Sequence, residues 1–345
     1  MKTCRVAIVG LGRMGSTIDD ELRDYPAFKL PFSIAASCQA SPRLDLVAGA
    51  DILPEKRDAF AQRWGVKALY EDYLEMIDKE RPDLVAICTK GVLHADMIVA
   101  VAEAGVKMIF CEKAIACSLK EADAALDACR KNNVSLNTGV LRRFIPLYAK
   151  MRELIDAGEI GKPAAVVHYA GSTLLHGHIH SIDTAMYLLG DPEAASVWGE
   201  LRPRETEFTD NRLDHDPKAV YHIEFAGGVE AFTVPAGGWE FEVLGTEGVL
   251  RVVNNGVGCL MRKAQKQGKR TMMESVPFPE YEKRSGTVIL LEDIVAAAEE
   301  GRPTLGNIEV THRATELCFA VAESHRLGRR VAPPVENRDM YVFHV

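Results

Sequence analysis

The chain has 345 residues, a length typical of two domains rather than one. Its composition, 47% hydrophobic and 26% charged, is that of a folded globular protein. It excludes a disordered tail, a collagen and a disulfide-stapled miniprotein. The formal net charge of −8 gives no overall positive field, so neither nucleic acid nor an anionic membrane surface is an expected partner.

The eight cysteines are scattered, mostly inside apolar runs, and form no Cys-x-x-Cys pair. This distribution predicts buried free thiols and a reducing compartment. The apolar stretch Val6–Val9 is too short for the core of a signal peptide, and no run reaches the roughly 18 apolar residues of a membrane span. We therefore expect a cytoplasmic protein with no membrane partner.

The N-terminal part alternates short apolar runs with segments of helical spacing. The predicted strands are Arg5–Val9, Leu44–Ala48, Leu84–Cys88, Val106–Phe110 and Val134–Asn137, and the predicted helices are Glu55–Trp64, Tyr70–Lys79, Leu93–Ala104 and Leu119–Lys131. Such alternation indicates a parallel sheet covered by helices on both faces. We expect an α/β fold with a doubly wound Rossmann sheet in residues 1–145.

After Pro146 the pattern changes. The predicted elements are a helix at Lys150–Ala157, a strand at Ala164–Tyr169, a helix at Ile182–Leu189, successive strands from Ala194 to Met261, and helices at Thr287–Glu299 and Val310–Leu327. The basic stretch Arg262–Arg270 is typical of a solvated hairpin. We expect residues 146–345 to form an α+β domain with an open, mostly antiparallel sheet.

A glycine-rich loop follows the first strand directly, with Arg13 and Met14 between its last two glycines. Gly10 permits a tight turn, Gly12 lets the backbone approach a pyrophosphate, and Gly15 permits close packing of the next helix. The N-terminus of that helix attracts the anion. In this context the loop predicts a dinucleotide site.

An acidic residue at the end of the second strand is expected to bind the adenosine ribose, and Asp51 has that place. A carboxylate there favours NAD, while Lys56 and Arg57 close behind leave NADP open. Gly15 and Asp51 are 36 residues apart, more than the fingerprint expects. We predict that Ser33–Ala40 is the helix after the loop and that residues 16–32 are inserted, either as a lid or as a packed surface loop.

Three histidines alternate with other residues between positions 176 and 180. On a strand they would share one face and could hold a metal. On a helix His176 and His180 lie one turn apart, Asp183 follows three residues later, and His178 points elsewhere. The apolar spacing of Ile179–Leu189 favours the helix, so no metal site is predicted.

Taken together, several segments resemble the Gfo/Idh/MocA family of NAD(P)-dependent oxidoreductases over nearly the whole chain. They are Gly10–Gly15, Ile87-Cys88-Thr89 with His94 following, Cys111-Glu112-Lys113, Gly139 to Arg142-Arg143-Phe144, Leu154–Gly161, His180–Asp183 and Gly245–Gly248. The resemblance implies that the glycine loop with Arg13 and Met14, Asp51, Thr89, Glu112 and Lys113 bind the cofactor. It also implies that Lys113 lies near the reacting carbon.

Two positions near the expected cofactor depart from the family pattern. Ala114 stands where the family has proline, so a trans peptide is expected after Lys113. Lys90 and Gly91 replace the family's Pro-Asn, and Lys90 would face the cofactor or the substrate.

The resemblance also assigns residues of the histidine segment. It implies that His180 is the general base. His176 stands where relatives have the aspartate that orients this histidine, so we expect His176 either to orient His180 in catalysis or to contact the substrate. Asp183 and Arg143 complete the expected substrate contacts, and for Arg143 a salt bridge to the acids of the inserted segment is the alternative.

The implied activity is hydride transfer between NAD, or NADP, and a secondary alcohol or ketone of a sugar, sugar acid or cyclitol. The resemblance also implies that residues 1–145 bind NAD(P) and that residues 146–345 bind the substrate and mediate oligomerisation, with a homodimer or homotetramer as the assembly. Two alternatives stay open: transient oxidation by tightly bound NAD for glycoside cleavage, elimination or epimerisation, and a non-catalytic dinucleotide-binding regulator.

Overall fold

A computed structural model describes residues 3–345 of the chain. The chain divides into two compact units. The first runs to Phe144 and includes Arg284–His312 and His344–Val345; the second comprises Ile145–Lys283 and Arg313–Phe343. The chain first changes unit after Phe144, and 29 residues near the C-terminus, Arg284–His312, return to the first unit.

The first unit is built on a six-stranded parallel sheet. Its strands are β1 (Cys4–Val9), β2 (Leu44–Ala50), β3 (Ala68–Tyr70), β4 (Leu84–Ile87), β5 (Met108–Cys111) and β6 (Ser135–Thr138). Their order is β3-β2-β1-β4-β5-β6, that of a doubly wound dinucleotide-binding sheet. Strand β4 is buried at every position, as both faces of a covered parallel sheet require. The predicted fold class is confirmed.

Helices cover both faces of this sheet. They are α1 (Ile18–Leu22), α2 (Ile34–Ala40), α3 (Pro54–Trp64), α4 (Tyr73–Glu80), α5 (His94–Glu103) and α6 (Leu119–Asn132). Side-chain caps fix several of their starts: Ser33 accepts from the Ala36 N–H and Ser118 from the Glu121 N–H. Short β3 was missed in the sequence, which assigned Tyr70 to the following helix.

The segment after the glycine loop differs from the prediction. Residues Arg13–Thr17 form a π-helical turn that continues directly into α1, so the helix after the loop begins at once instead of at Ser33. The Trp64 indole donates to the Ser16 hydroxyl at 2.8 Å and holds this turn. The inserted part is thus the connection between α1 and α2.

That connection is fixed at both ends. The Asp19 carboxylate accepts from the Phe32 and Ser33 N–H groups at 2.7 and 3.0 Å, and the Ser285 hydroxyl donates to the Pro31 carbonyl. The rings of Phe28 and Phe32 pack 5.0 Å apart. These contacts favour the packed surface loop over the lid.

The second unit holds a nine-stranded sheet. Its strands are β7 (Pro163–Tyr169), β8 (Ser172–Thr173), β9 (Ala194–Arg202), β11 (Lys218–Phe225), β12 (Glu230–Val234), β13 (Glu240–Gly245), β14 (Gly248–Val253), β15 (Gly258–Gln267) and β16 (Arg270–Val276), while β10 (Arg212–Leu213) pairs with β17 (Tyr341–Val342). All its pairings are antiparallel except β7 with β12. The basic stretch near Arg262–Arg270 lies in the β15–β16 hairpin at the sheet edge, as predicted.

Four further helices complete the two units. They are α7 (Pro146–Asp156), α8 (Ile179–Leu189), α9 (Gly286–Glu300) and α10 (Ile308–Leu327). Helix α9 packs in the first unit through the buried residues Leu290, Leu291 and Ile294, which explains why this segment leaves the second unit. No helix within residues 3–345 is long and apolar enough to cross a membrane.

Candidate active site

Four strands of the first unit end at one edge of the sheet. Val9 pairs with both Ala50 and Ile87, and Ile87 pairs with Cys111. The residues that follow these ends therefore lie side by side at the carboxyl edge. Gly10, Asp51, Thr89 and Lys113 follow them within two residues, and this edge is where open α/β sheets bind ligands.

The glycine loop fits a dinucleotide pyrophosphate. Gly10 has φ +91°, and a Cβ there would lie 2.6 Å from the Cys88 carbonyl oxygen. A Cβ on Gly15 would overlap the Gly10 carbonyl oxygen, so both positions exclude side chains. Among the described residues beyond its chain neighbours, the nearest atom to a Cβ on Gly12 would be the Lys56 Nζ, at 3.5 Å. The open space before Gly12 is the approach that a pyrophosphate needs.

Asp51 is tied to the glycine loop through its side chain. One carboxylate oxygen accepts from the Leu11 N–H at 2.9 Å and the other accepts from the Leu53 N–H at 3.0 Å. These bonds fix the carboxylate beside the loop, and each oxygen keeps a second lone pair for a ribose hydroxyl. The predicted position of Asp51 beside the glycines is what the structure shows.

The other two predicted residues of the loop differ in exposure. Arg13 is exposed, and its guanidinium pairs with the Glu21 carboxylate of α1 at 2.8 Å. Met14 is half-buried. Arg13 therefore lies at the start of the helix, with its charge partly balanced by Glu21.

Glu112 and Gly139 form a tight pair at the same edge. Glu112 is buried, and burial raises the pKa of its carboxyl despite the nearby Lys113 charge. Its carboxylate accepts from the Lys113 N–H at 3.3 Å. A Cβ on Gly139 would lie 2.6 Å from both carboxylate oxygens, so only glycine leaves this carboxylate in place.

The peptide bond after Lys113 is cis, so the expectation of a trans bond at Ala114 is wrong. Ala114 is buried, and its carbonyl lies 2.7 Å from Nδ1 of His94. Lys113 itself is half-buried.

The His94 ring joins two of the strand ends. Its Nε2 lies 3.1 Å from the Thr89 carbonyl, while Nδ1 faces Ala114. Burial lowers the pKa of His94, although both carbonyls favour the protonated ring. Thr89 is half-buried and its hydroxyl contacts the Met97 sulfur, whereas the neighbouring Lys90 is exposed.

His344 is a residue of this edge that the sequence did not reveal. Its buried ring packs so closely on Gly91 that a Cβ there would overlap it. No motif marks His344, because it is 253 residues from Gly91 in the chain. Only the return of the last residues to the first unit brings it there.

The histidine segment of the second unit is helical, as predicted. Leu174–His178 form a π-helical turn that runs into α8, and Asp216 caps it by accepting from the N–H groups of Leu175 and His176 at 2.8 and 2.7 Å. His176 is exposed and His180 is half-buried. Among the described residues, no group of three His, Cys, Asp or Glu side chains is arranged to hold a metal.

His178 belongs to a buried hydrogen-bonded network. Its Nε2 donates to the Ala219 carbonyl at 2.8 Å, and its Nδ1 lies 3.1 Å from the Ser181 hydroxyl. The Tyr221 hydroxyl donates to Ser181 at 2.9 Å. Burial lowers the pKa of His178 to about 4, so the ring is neutral and structural.

Aromatic rings surround this segment. The His168 ring stacks on Phe241 at 4.7 Å and lies 4.8 Å from the Trp239 ring, and Trp239 lies edge-on to His180 at 6.4 Å. Asp183, one turn after His180 on α8, is buried. No motif in the sequence gave a signal for His168.

Arg143 is almost fully buried, in a 3-10 turn at the end of the first unit. The acids of the inserted segment have other partners: Asp20 pairs with Arg63 at 2.5 Å, and Glu21 pairs with Arg13. A salt bridge from Arg143 to these acids, one of its two predicted roles, therefore has no support among these contacts.

Comparison with known protein families identifies both halves. Residues 4–140 match the Gfo/Idh/MocA model described as an oxidoreductase family with an NAD-binding Rossmann fold. Residues 152–333 match the C-terminal alpha/beta domain of the same family. The chain belongs to the Gfo/Idh/MocA oxidoreductase family. The predicted family, enzyme class and NAD cofactor are confirmed.

Curated relatives are similar over most of their length. The scyllo-inositol 2-dehydrogenase (NAD(+)) of Bacillus subtilis is 35% identical over 264 residues, covering 71% of this chain and 72% of that protein. The inositol 2-dehydrogenase/D-chiro-inositol 3-dehydrogenase of Lactiplantibacillus plantarum is 29% identical and covers 72% and 71%.

Among solved structures, levoglucosan dehydrogenase in complex with NADH and levoglucosan has a TM-score of 0.76 at 22% identity, covering 97% of this chain and all of that one. This likeness shows the shared fold.

Proposed function

We propose that this enzyme oxidises a secondary alcohol of a cyclitol, an inositol in particular, with NAD as the acceptor. The observation that carries the proposal is the set of polar groups gathered at one sheet edge beside the glycine loop: Asp51, Glu112 and Lys113. The two relatives described above, both named as inositol dehydrogenases, support the cyclitol over other polyols.

The glycine loop and Asp51 would hold the dinucleotide, with Glu112 and Thr89 at the nicotinamide end. When bound, NAD supplies the acceptor for the hydrogen on the alcohol carbon. The Lys113 ammonium would donate a hydrogen bond to the substrate oxygen and stabilise its negative charge as the O–H proton leaves. An ammonium on a half-buried side chain is suited to this because it is less screened than in water.

We assign the proton to His180. A histidine ring accepts a proton near neutral pH, and the half-buried His180 is suited to proton exchange, whereas the buried network of His178 is not. His176 is exposed on the preceding turn, and we assign it, with Lys90, Asp183 and Arg143, to contacts with substrate hydroxyls.

We also propose a homodimer or homotetramer formed by the second unit. Its sheet carries exposed apolar side chains, including Trp198, Val234 and Leu260. Light scattering after size exclusion tests the assembly, and a monomer at micromolar concentration would refute it.

The deciding experiment is a screen of the purified enzyme with scyllo-, myo- and D-chiro-inositol and with a panel of aldoses, followed at 340 nm with NAD and NADP in turn. We expect NADH to form in a one-to-one ratio with inositol consumed. Consumption without NADH would indicate transient oxidation by tightly bound NAD. Reaction with aldoses alone would refute the cyclitol.

Two variants test the assigned residues. Lys113→Met and His180→Gln should each lower kcat by about 100-fold or more, while NADH still binds. Lys79→Met and His215→Gln, exposed positions in the first and second units, serve as controls. Undiminished turnover in both site variants would favour the non-catalytic regulator.

A further inference from the structure

The Lys56 side chain reaches the dinucleotide loop from the first turn of α3, although the sequence offered Lys56 only as a sign of NADP use. Its Nζ is 3.9 Å from a carboxylate oxygen of Asp51. The same Nζ lies 3.5 Å from the place that a Cβ on Gly12 would take. The ammonium group therefore lies between the acid expected to bind ribose and the glycine expected to approach a pyrophosphate.

The Asp51 carboxylate does not depend on Lys56 for its position. Both of its oxygens already accept backbone N–H groups, from Leu11 and Leu53. The Lys56 side chain is 44% exposed, and an ion pair of this kind contributes little to stability. Lys56 is thus a flexible cation that can move away from Asp51 at low cost.

The adjacent Arg57 has a different role. Its guanidinium donates to the Asp51 carbonyl oxygen at 2.6 Å and lies 4.0 Å from the Glu71 carboxylate. These contacts hold the backbone at the end of β2. Of the two cations behind Asp51, only Lys56 is placed beside the loop glycines.

We propose that Lys56 is a ligand of the cofactor's pyrophosphate. The ammonium would move from Asp51 to a phosphate oxygen when the dinucleotide binds, which leaves the Asp51 carboxylate available to the ribose hydroxyls. A doubly charged pyrophosphate attracts a lysine more strongly than a single carboxylate does. This inference rests on the dinucleotide site of the proposed function.

The test is calorimetric titration of the protein and its Lys56→Gln variant with ADP-ribose, NADH and NADPH, without substrate. Because all three ligands share the pyrophosphate, we expect the variant to bind each about 5- to 10-fold more weakly. The affinity of the variant for NADH should also fall less steeply with added NaCl. Lys56→Arg should recover most of the affinity.

Lys79→Gln is the matched control, since Lys79 is 57% exposed and paired with Glu75 in the same unit. It should leave all three affinities unchanged. Equal NADH affinity in Lys56→Gln and the unaltered protein would overturn the inference. A loss confined to NADPH would overturn it too, because it would assign Lys56 to a 2′-phosphate. If the unaltered protein does not bind NADH, the dinucleotide site of the proposed function is itself refuted.

Discussion

Nδ1 of His94 lies 2.7 Å from the carbonyl oxygen of Ala114, on the loop that follows β5. The other ring nitrogen faces the carbonyl of Thr89 after β4, so one buried ring connects two neighbouring strand ends. Both loops carry residues assigned to cofactor and substrate. His94 is therefore a positioning residue for Lys113 that need not contact any ligand.

His94→Ala should lower kcat about 10-fold and raise the KM for NAD, because the Lys113 loop loses its anchor. It should also cost about 2 kcal/mol of stability, because one of the two carbonyls loses the N–H donor that the neutral ring supplies. His94→Asn keeps a donor in place of Nδ1 and should recover most of the kcat. Steady-state kinetics and urea unfolding measure these effects. Equal kcat in the Ala and Asn variants would contradict the positioning role.

Asp51 should determine the choice between NAD and NADP. In Asp51→Asn the amide removes the charge that repels a 2′-phosphate and leaves one oxygen for the Leu11 and Leu53 N–H groups. We expect Asp51→Asn to bind NADH about 10-fold more weakly. The ratio of NADH affinity to NADPH affinity should fall by more than that factor, because the carboxylate no longer repels the 2′-phosphate of NADPH. Fluorescence titration with both cofactors measures the ratio. An unchanged ratio would show that Asp51 does not face the ribose.

Gly139→Ala should disturb the Glu112 carboxylate directly. The new Cβ would lie 2.6 Å from both oxygens, so the side chain must move, at a cost of about 1–3 kcal/mol for overpacking. We expect a KM for NAD raised about 10-fold. Gly238→Ala is the control, because its Cβ would meet no atom closer than 3.8 Å. If Gly139→Ala has the KM of the unaltered enzyme, Glu112 is not a cofactor contact.

Local rules were sufficient for most of the first unit. Apolar runs interrupted by Gly10 and by the Arg81-Pro82 break define strands whose burial on both faces leaves little ambiguity. The sequence predicted the position of Asp51 because, in this topology, the acid that binds the ribose follows the end of the second strand. The same rules failed where contacts are distant in sequence. The sequence of Arg284–His312 predicts helices but does not indicate which unit they join. Their packing places this segment in the first unit.

The sequence predicted the residue types of the candidate site better than it predicted their hydrogen-bond partners. The spacing of His176 and His180 indicated a helix, but the partner of the His178 Nε2 is the Ala219 carbonyl on β11, 41 residues away. The Ala114 carbonyl contacts His94, a residue 20 positions earlier, and no pattern around position 114 shows this contact. The π-helical turns at Arg13–Thr17 and Leu174–His178 have no simple sequence signal.

His178 should make the second unit less stable in mild acid. Its pKa is about 4 in the folded protein and about 6.5 when exposed, so below pH 6.5 the unfolded chain binds a proton that the folded chain does not. The stability contribution is complete above pH 6.5 and is lost as the pH falls towards 4, by about 3 kcal/mol. Urea unfolding of His178→Gln, followed by tryptophan fluorescence, should show a correspondingly smaller decline between pH 7 and 4.5. Parallel declines in the variant and the unaltered protein would show that another group titrates.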